Sequence, residues 1–176
     1  SKDLIKKSGL LSMKPRIIVC NVDEKSLPNG NKYSDACKKN LLGENIIIVC
    51  ADIEDQIMGL QSNDRKDFML ESGIKSTGLD NLIKAGYKTL GLSTFFTSGP
   101  EESRAWTIEK NSKAVDAAGV IHTDFKKKFI RAETVTHEDF IKYKGFNECK
   151  NAGKLRLEGK DYLVNDGDVM YFRVGT

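Results

Sequence analysis

Four residues, Asn21-Val22-Asp23-Glu24, directly follow the short apolar stretch RIIVC. An asparagine amide both donates and accepts hydrogen bonds, so Asn21 can match the N7 and N6 edge of adenine or the N7 and O6 region of guanine. A bulky apolar residue such as Val22 can cover the plane of a base, and backbone amides near Ala51 can close the pocket. These residues therefore indicate recognition of a purine base. They leave a second interpretation open, in which Asn21 and Asp23 only form a turn and a cap after a strand.

Two continuous apolar runs must position these residues. Residues 16–20 (RIIVC) and 46–50 (IIIVC) predict strands buried on both faces, as in a parallel sheet. Residues 33–42 predict a helix between them, which gives a strand, helix, strand crossover. Ligands of open α/β sheets bind beyond the carboxyl ends of the strands. Because polar residues follow both runs, we expect the two strand ends to converge on one ligand.

The pattern of the remaining chain changes near residue 90. Before it, helices are predicted over residues 3–13, 51–60, 63–71 and 79–87, with Asn63 as an N-cap. After it, short strands are predicted over residues 94–97, 105–108, 129–134, 154–157, 162–164 and 169–174, and helices over 112–119 and 138–143. The turn residues Glu158-Gly159 and Asp166-Gly167-Asp168 predict that the last three strands form a meander. We therefore expect an α/β unit followed by an α+β unit.

Composition excludes several classes of protein. Hydrophobic residues make up 39% of the chain and charged residues 30%, and no apolar run approaches the roughly 20 residues of a membrane span. The four cysteines stand singly, and Cys20 and Cys50, which end apolar runs, are predicted to be buried small hydrophobes. The first fifteen residues lack the pattern of a secretory signal and contain no initiating methionine at position 1. We expect a cytoplasmic chain that begins inside a longer protein.

The densest basic cluster contains Lys126, Lys127, Lys128 and Arg131. Such a cluster can pair with phosphates and bind RNA in a salt-dependent way, although many lysine runs are simply solvated surface. The net charge of +3 is too small to decide between these interpretations.

Three further residues are predicted to be structural. No nucleophile or paired carboxylate stands beside His122 in the sequence, so we expect it to bind backbone rather than to act as a general base. We expect His137 on the surface of a helix. A lone tryptophan such as Trp106 is usually a core anchor.

The stretch KPRIIVCNVDE resembles the fourth nucleotide-binding motif of the YchF/Obg-like P-loop ATPases, in which NxxE replaces the NKxD of GTPases. Asn21 and Glu24 occupy the matching ends, Val22 falls on the residue that packs against adenine, and VCADIE at 49–54 resembles the fifth motif. The missing aspartate of the GTPases accepts hydrogen bonds from guanine N1–H and the 2-amino group, and adenine offers neither donor there. The resemblance therefore implies that ATP is preferred, with GTP possible.

The segments at 97–108, 117–133 and 153–173 are similar to the TGS domain of the same family, a ubiquitin-like β-grasp module. The resemblance covers essentially the whole chain in the order of the family. It implies that residues 1–90 are the C-terminal part of a P-loop nucleotide-binding domain, with the end of its helical insertion at 1–14. It also implies that residues 91–176 are the TGS domain.

The resemblance implies a ribosome-associated parent protein that hydrolyses ATP with Mg²⁺. No GxxxxGK[ST] loop occurs in the sequence, and that loop supplies the groups that hold phosphates and Mg²⁺. We therefore expect neither catalytic residues nor metal ligands in this chain. The expected partners are a purine nucleotide and the ribosome, at its large subunit or through RNA. The alternative is a non-catalytic regulatory module that binds RNA or protein, in which residues 1–90 only brace the rest.

Overall fold

The computed structural model describes residues 9–175, which divide between Leu90 and Gly91 into two compact units. The first unit contains β1 (Ile17–Asn21), α1 (Lys32–Asn40), β2 (Asn45–Val49), α2 (Ala51–Gly59), α3 (Ser62–Glu71) and α4 (Gly78–Leu90). The second contains β3 (Leu92–Ser98), β4 (Ser103–Glu109), α5 (Ala114–Ile121), α6 (Thr123–Lys127), β5 (Phe129–Thr136), α7 (His137–Tyr143), α8 (Phe146–Asn151), β6 (Arg156–Glu158) and β7 (Asp168–Val174). Within residues 9–175, every helix is too short or too polar to cross a membrane.

The helix predicted over residues 3–13 begins outside the described residues, where Leu4 and Ile5 lie. The described part of this segment forms a single 3₁₀ turn at Leu11–Met13. Its cap residue Lys14, which precedes Pro15, has an extended backbone, as the residue before a proline favours.

Strands β1 and β2 pair in parallel, with Ile17 opposite Asn45 and Asn21 opposite Val49. The predicted parallel pair is thus confirmed. The prediction that both strands are buried on both faces is wrong for the described residues, because Val19 is 46% exposed and Cys20 is only half-buried. The physical reason is that strand side chains point to the two faces of the sheet, and the described residues leave the face that carries Val19 partly uncovered.

Helices α2 and α3 form the small core of the first unit. Cys50, Ile53 and Ile57 are buried there, and partly buried side chains pack on them, namely Leu27, Phe68, Met69 and Ile74. The N-cap of α3 is Gln61, without a side-chain hydrogen bond, so the predicted cap at Asn63 is wrong. The helix begins at Ser62, so Asn63 lies inside its first turn rather than before it.

The second unit is built on a five-stranded mixed sheet in the order β4-β3-β7-β5-β6. Strands β3 and β4 form an antiparallel hairpin, β3 and β7 are parallel, and β5 pairs antiparallel with both β6 and β7. The predicted C-terminal meander is wrong. Residues 162–164 contribute only a single bridge, between Leu163 and Lys113, because their backbone hydrogen bonds go to Ser112 and Ala114 rather than to β6 or β7.

Helices lie on both faces of this sheet. On one face, Ala117 and Ala118 of α5 pack into a core with Phe95, Met170 and Phe172. On the other face, a second cluster joins Val135 and Val169 to aromatic residues of α7 and α8 and to Cys149. Helices α6 and α8 were not predicted, because they have only five and six residues, too few to show helical periodicity.

The three residues predicted to be structural behave as expected. The Trp106 ring packs against the core, and its Nε1 donates to Thr97 Oγ1 at 2.9 Å. The Nδ1 atom of His122 accepts from the Asp124 backbone N–H at 3.2 Å, which caps α6. His137 is exposed at the start of α7.

A buried carboxylate organises the loop between β6 and β7. Asp168 is 2% exposed, and its Oδ1 accepts from Arg156 Nη2 at 3.1 Å. Its Oδ2 accepts from the Tyr162 hydroxyl at 2.7 Å and from the Asn165 backbone N–H at 2.9 Å. Burial and, after it, the hydrogen bond to Asp168 raise the pKa of Tyr162 above its ordinary value of 10.0.

We predict a stability change at high pH that depends on Tyr162. A pKa raised in the folded state means that the folded chain holds the phenol proton more tightly than the unfolded chain does. This contribution is complete below pH 10.0 and is lost as pH rises through the folded-state pKa. Urea denaturation between about pH 8 and 11 should therefore show a shallower loss of unfolding free energy in Tyr162→Phe than in the unmodified chain.

The Tyr162→Phe chain should also be about 1–2 kcal/mol less stable at neutral pH, because partners of the hydroxyl lose a hydrogen bond. Tyr143→Phe, in α7 and outside this network, is the matched control and should keep the original pH slope. Equal slopes for both variants would contradict the assignment.

Candidate functional site

The ends of β1 and β2 lie side by side and are tied together by a side chain. The Asn21 Oδ1 atom accepts a hydrogen bond from the backbone N–H of Ala51, the first residue of α2, at 3.0 Å. One residue further, the Val22 N–H donates to the Val49 carbonyl at 2.8 Å. The structure therefore brings together two of the predicted site residues, Asn21 and Ala51.

This hydrogen bond fixes the orientation of the Asn21 amide. Only the amide oxygen can accept from a backbone N–H, so the amide NH₂ must point to the other side. Asn21 is exposed, and within residues 9–175 its NH₂ group donates to no protein atom. The strand end thus presents a hydrogen-bond donor of fixed direction to a ligand.

Val22 and Glu24 are placed differently from Asn21. The Val22 side chain is only 8% exposed, so it presents little surface of its own. Glu24 is exposed, begins a 3₁₀ turn at Glu24–Ser26, and lines a hollow of about 540 Å³ together with Ile53. Asn21 does not line this hollow. The role of Glu24 at the base therefore stays a prediction.

Asp23 forms a local cap. Its Oδ1 accepts from the Ser26 backbone N–H at 3.0 Å and from the Ser26 hydroxyl at 2.8 Å. The interpretation as a turn and cap therefore holds for Asp23, and its carboxylate is engaged within the turn.

Glu54 has a structural role near this site that the sequence does not predict. Its carboxylate accepts from the backbone N–H groups of Gly78, at 2.6 Å, and Leu79, at 3.3 Å, and so caps the start of α4. A cavity of about 300 Å³ lies beside it, lined also by Val49 and Cys50. The pairing joins residues that are 24 positions apart, and no local pattern predicts it.

The predicted basic cluster is divided by the structure. Lys126 Nζ forms an ion pair with Asp116 Oδ1 at 2.8 Å, on α5. Lys127 and Lys128 are exposed at the end of α6. Arg131 lies in β5 and faces the side of the sheet opposite α5, because its neighbour Ala132 belongs to the core under α5. The four residues therefore do not form a single patch.

Taken together, these features define an α/β unit with a polar site at the carboxyl end of a parallel strand pair, followed by an α+β unit. A comparison with protein-family models matches residues 92–175 to YchF-GTPase_C, described as a protein of unknown function (DUF933). The chain is also 49% identical over 174 residues to the "Ribosome-binding ATPase YchF" of Bacillus subtilis (strain 168), covering 97% of this chain and 48% of that protein. The protein of the same name from Escherichia coli O157:H7 is 47% identical over 173 residues, with 97% and 47% covered.

Solved structures agree with these matches. "Structure of the Schizosaccharomyces pombe YchF GTPase" superimposes with a TM-score of 0.82 at 34% identity, covering 97% of this chain and 46% of that chain. A GTP-binding protein from Pyrococcus horikoshii OT3 has a TM-score of 0.62 at 17% identity, which shows the fold alone. The chain belongs to the YchF family and corresponds to the C-terminal region of its members. It spans about half the length of the curated relatives it matches.

We predict that Gly78 is required for the close packing behind the site. Gly78 is buried, and a Cβ atom there would lie 2.7 Å from Val49 Cγ1 and 3.0 Å from Glu54 Oε1. Gly78→Ala should therefore lower the unfolding free energy by about 1–3 kcal/mol in thermal or urea denaturation.

Gly86 in the same helix is the matched control, because a Cβ there would meet nothing within 4 Å. Gly86→Ala should raise stability by up to about 1 kcal/mol, since alanine favours a helix over glycine. Equal effects of the two substitutions would contradict the packing argument.

Proposed function

We propose that this chain is the C-terminal part of a cytoplasmic, ribosome-binding ATPase that prefers ATP to GTP. In this proposal residues 1–90 supply the adenine-recognition side of a P-loop nucleotide-binding domain, with Asn21, Val22, Glu24 and Ala51 at the base. Residues 91–176 are the TGS domain. The observation that carries the proposal is the hydrogen bond that orients the Asn21 amide beyond the ends of two parallel strands.

The outward NH₂ group of Asn21 matches the N7 acceptor that both purines share. Preference for ATP needs a second argument, and the state of Asp23 supports it. Guanine recognition needs a carboxylate whose two oxygens accept from N1–H and the 2-amino group, whereas Oδ1 of Asp23 already accepts from the Ser26 backbone N–H and hydroxyl. A base edge without those donors, as in adenine, is then the better match.

Exposed apolar side chains support the proposal that the first unit is part of a larger domain. Parallel sheets are normally covered on both faces, but Val19 in β1 is 46% exposed. On α4, Leu79 and Ile83 are 50% and 51% exposed and lie four residues apart, on one side of the helix. The relatives are about twice as long as this chain, so they have further residues that could cover these surfaces.

Bound ATP and Mg²⁺ would supply the phosphoryl chemistry of the parent protein. Among residues 9–175, no group of three or more His, Cys, Asp and Glu side chains is placed to hold a metal ion. In this proposal we assign these residues no metal ligand and no hydrolytic step. Their part is to bind and orient the base.

The topology of the second unit supports the TGS proposal. Its first and last strands, β3 and β7, lie parallel in the middle of the sheet, and a hairpin and helix α5 follow the order of a ubiquitin-like β-grasp. The Bacillus subtilis relative is named as ribosome-binding. We propose that this unit contacts the ribosome, with Lys127, Lys128 and Arg131 available to RNA because all three are exposed, and with Lys126 contributing less.

The isolated chain should bind ATP only weakly, because it lacks a phosphate-binding loop. In isothermal titration we expect a Kd in the millimolar range or weaker, equivalent to about 4 kcal/mol or less of binding free energy. If this chain alone bound ATP with a Kd in the low micromolar range, the phosphate-binding site could not lie entirely in other residues of the parent protein, and this part of the proposal would be overturned.

In the full-length parent, Asn21→Ala should weaken ATP binding about 10- to 100-fold, since it removes the base donor and the acceptor that holds Ala51. Asn63→Ala, on the exposed surface of α3, is the matched control and should leave affinity unchanged. For the unmodified parent and both variants, ATP affinity is measured by titration, ATP turnover by hydrolysis, and ribosome binding by co-sedimentation. Unchanged ATP binding and turnover with intact ribosome binding would favour the regulatory binding module instead.

A further inference from the structure

One face of the five-stranded sheet is only partly covered by helices. The cluster around Val135 and Val169 lies beneath α7 and α8. Further along β7, on the same face, Tyr171 is 43% exposed and the Arg173 side chain is 50% exposed. We call this uncovered part of the sheet, with Arg131, Tyr171 and Arg173, the open face.

A β-bulge directs Arg131 onto the open face. The register places Phe129 opposite Val174 but Arg131 opposite Arg173, so Ile130 is an extra residue in β5. Phe129 therefore points into the core under α5 while Arg131 points to the other side. The register places Arg131 directly opposite Arg173, and the charge of Arg173 is paired with Glu133.

The guanidinium of Arg173 is held in a fixed plane. Its Nε and Nη2 atoms donate to the two carboxylate oxygens of Glu133 at 2.9 and 3.3 Å, and its Cζ lies 4.4 Å from the centre of the Tyr171 ring. The Tyr171 ring in turn meets Phe146 edge-on, with centroids 6.4 Å apart. The Glu133 side chain is only 16% exposed, so the guanidinium and not the carboxylate faces solvent.

These features together make a preformed stacking surface. A nucleic-acid base can stack on an arginine plane or an aromatic ring, and each such contact is sequence-tolerant because every base has a π-face. Arg131 stands one strand away, where it can pair with a phosphate. Single-stranded RNA offers an unstacked base and a backbone phosphate at the same time, whereas the bases of a duplex are already stacked on one another.

We propose that Arg131, Tyr171 and Arg173 form a binding platform for single-stranded RNA. A base stacks on the Tyr171–Arg173 pair, and Arg131 binds the backbone phosphate. This proposal specifies single-stranded RNA as the ligand at the proposed ribosome contact, and it rests on that proposed function. It adds the open face to the contact proposed for Lys127 and Lys128, and Arg131 belongs to both.

The test uses the whole chain and a fluorescein-labelled single-stranded RNA of about 12 nucleotides, with a duplex of the same sequence as the second probe. Fluorescence anisotropy should show binding to the single strand and weaker binding to the duplex. Tyr171→Leu and Arg173→Lys should each weaken single-strand binding about 5- to 100-fold, since both remove a stacking plane while Arg173→Lys keeps the charge. Arg131→Ala should reduce the slope of log affinity against log salt by about 0.7, the effect of one phosphate contact.

A matched control exists elsewhere in the same unit. Arg104 lies 4.2 Å over the ring of Trp106, but this pair is on the face that packs against the core under α5. Arg104→Lys removes the same kind of stack and should leave RNA affinity unchanged. Circular dichroism of every variant confirms that the fold is kept.

Co-sedimentation of the same variants with ribosomes separates this proposal from the proposed function. Loss of RNA and ribosome binding in the three platform variants supports both. Equal binding of duplex and single strand, or an equal loss in Arg104→Lys, overturns the platform. If all three variants still bind ribosomes although they no longer bind RNA, the platform is not the ribosome contact and the proposal is overturned. The proposed function then still holds, and the contact is with a ribosomal protein. A chain that binds neither ribosomes nor RNA overturns both.

Discussion

The hydrogen bond from the Ala51 backbone N–H to the Asn21 amide oxygen sets the geometry at the end of the parallel sheet. It joins the last residue of β1 to the first residue of α2, across a sheet that has two strands in the described chain. Because the oxygen is engaged, the NH₂ group of the amide must point away from the sheet. The interaction that stabilises the strand ends therefore also decides which group a ligand meets.

Two carboxylates near this bond stabilise the fold. Asp23 caps its own turn through Ser26, and Glu54 caps the start of α4 at Gly78. In the second unit, Asp168 is used in the same way inside the fold. By contrast, the NH₂ group of Asn21 and the guanidinium of Arg131 have no partner among residues 9–175, and we propose both as binding groups.

The sequence predicts those features that rest on local patterns. The parallel pair follows from two β-branched runs, and the meeting of Asn21 with Ala51 follows from the convergence of strand ends. Contacts between distant residues leave no such pattern, so neither the capping of Gly78 by Glu54 nor the pairing of Arg173 with Glu133 could be predicted. The bulge at Ile130 shifts side-chain alternation by one residue, and it separates Arg131 from the lysines beside it in the sequence. Similarly, the helices α6 and α8 are too short to show a helical period in the sequence, so they could not be predicted.

Nuclear magnetic resonance of the ¹⁵N-labelled chain during addition of ATP tests the central claim most directly, because it detects weak binding at single residues. The account predicts that the side-chain NH₂ of Asn21 and the backbone amide of Ala51 shift together, while the Ser26 amide, which is bound to Asp23, moves much less. Shifts confined to residues 92–175, with the Asn21 NH₂ signal unchanged, would contradict it.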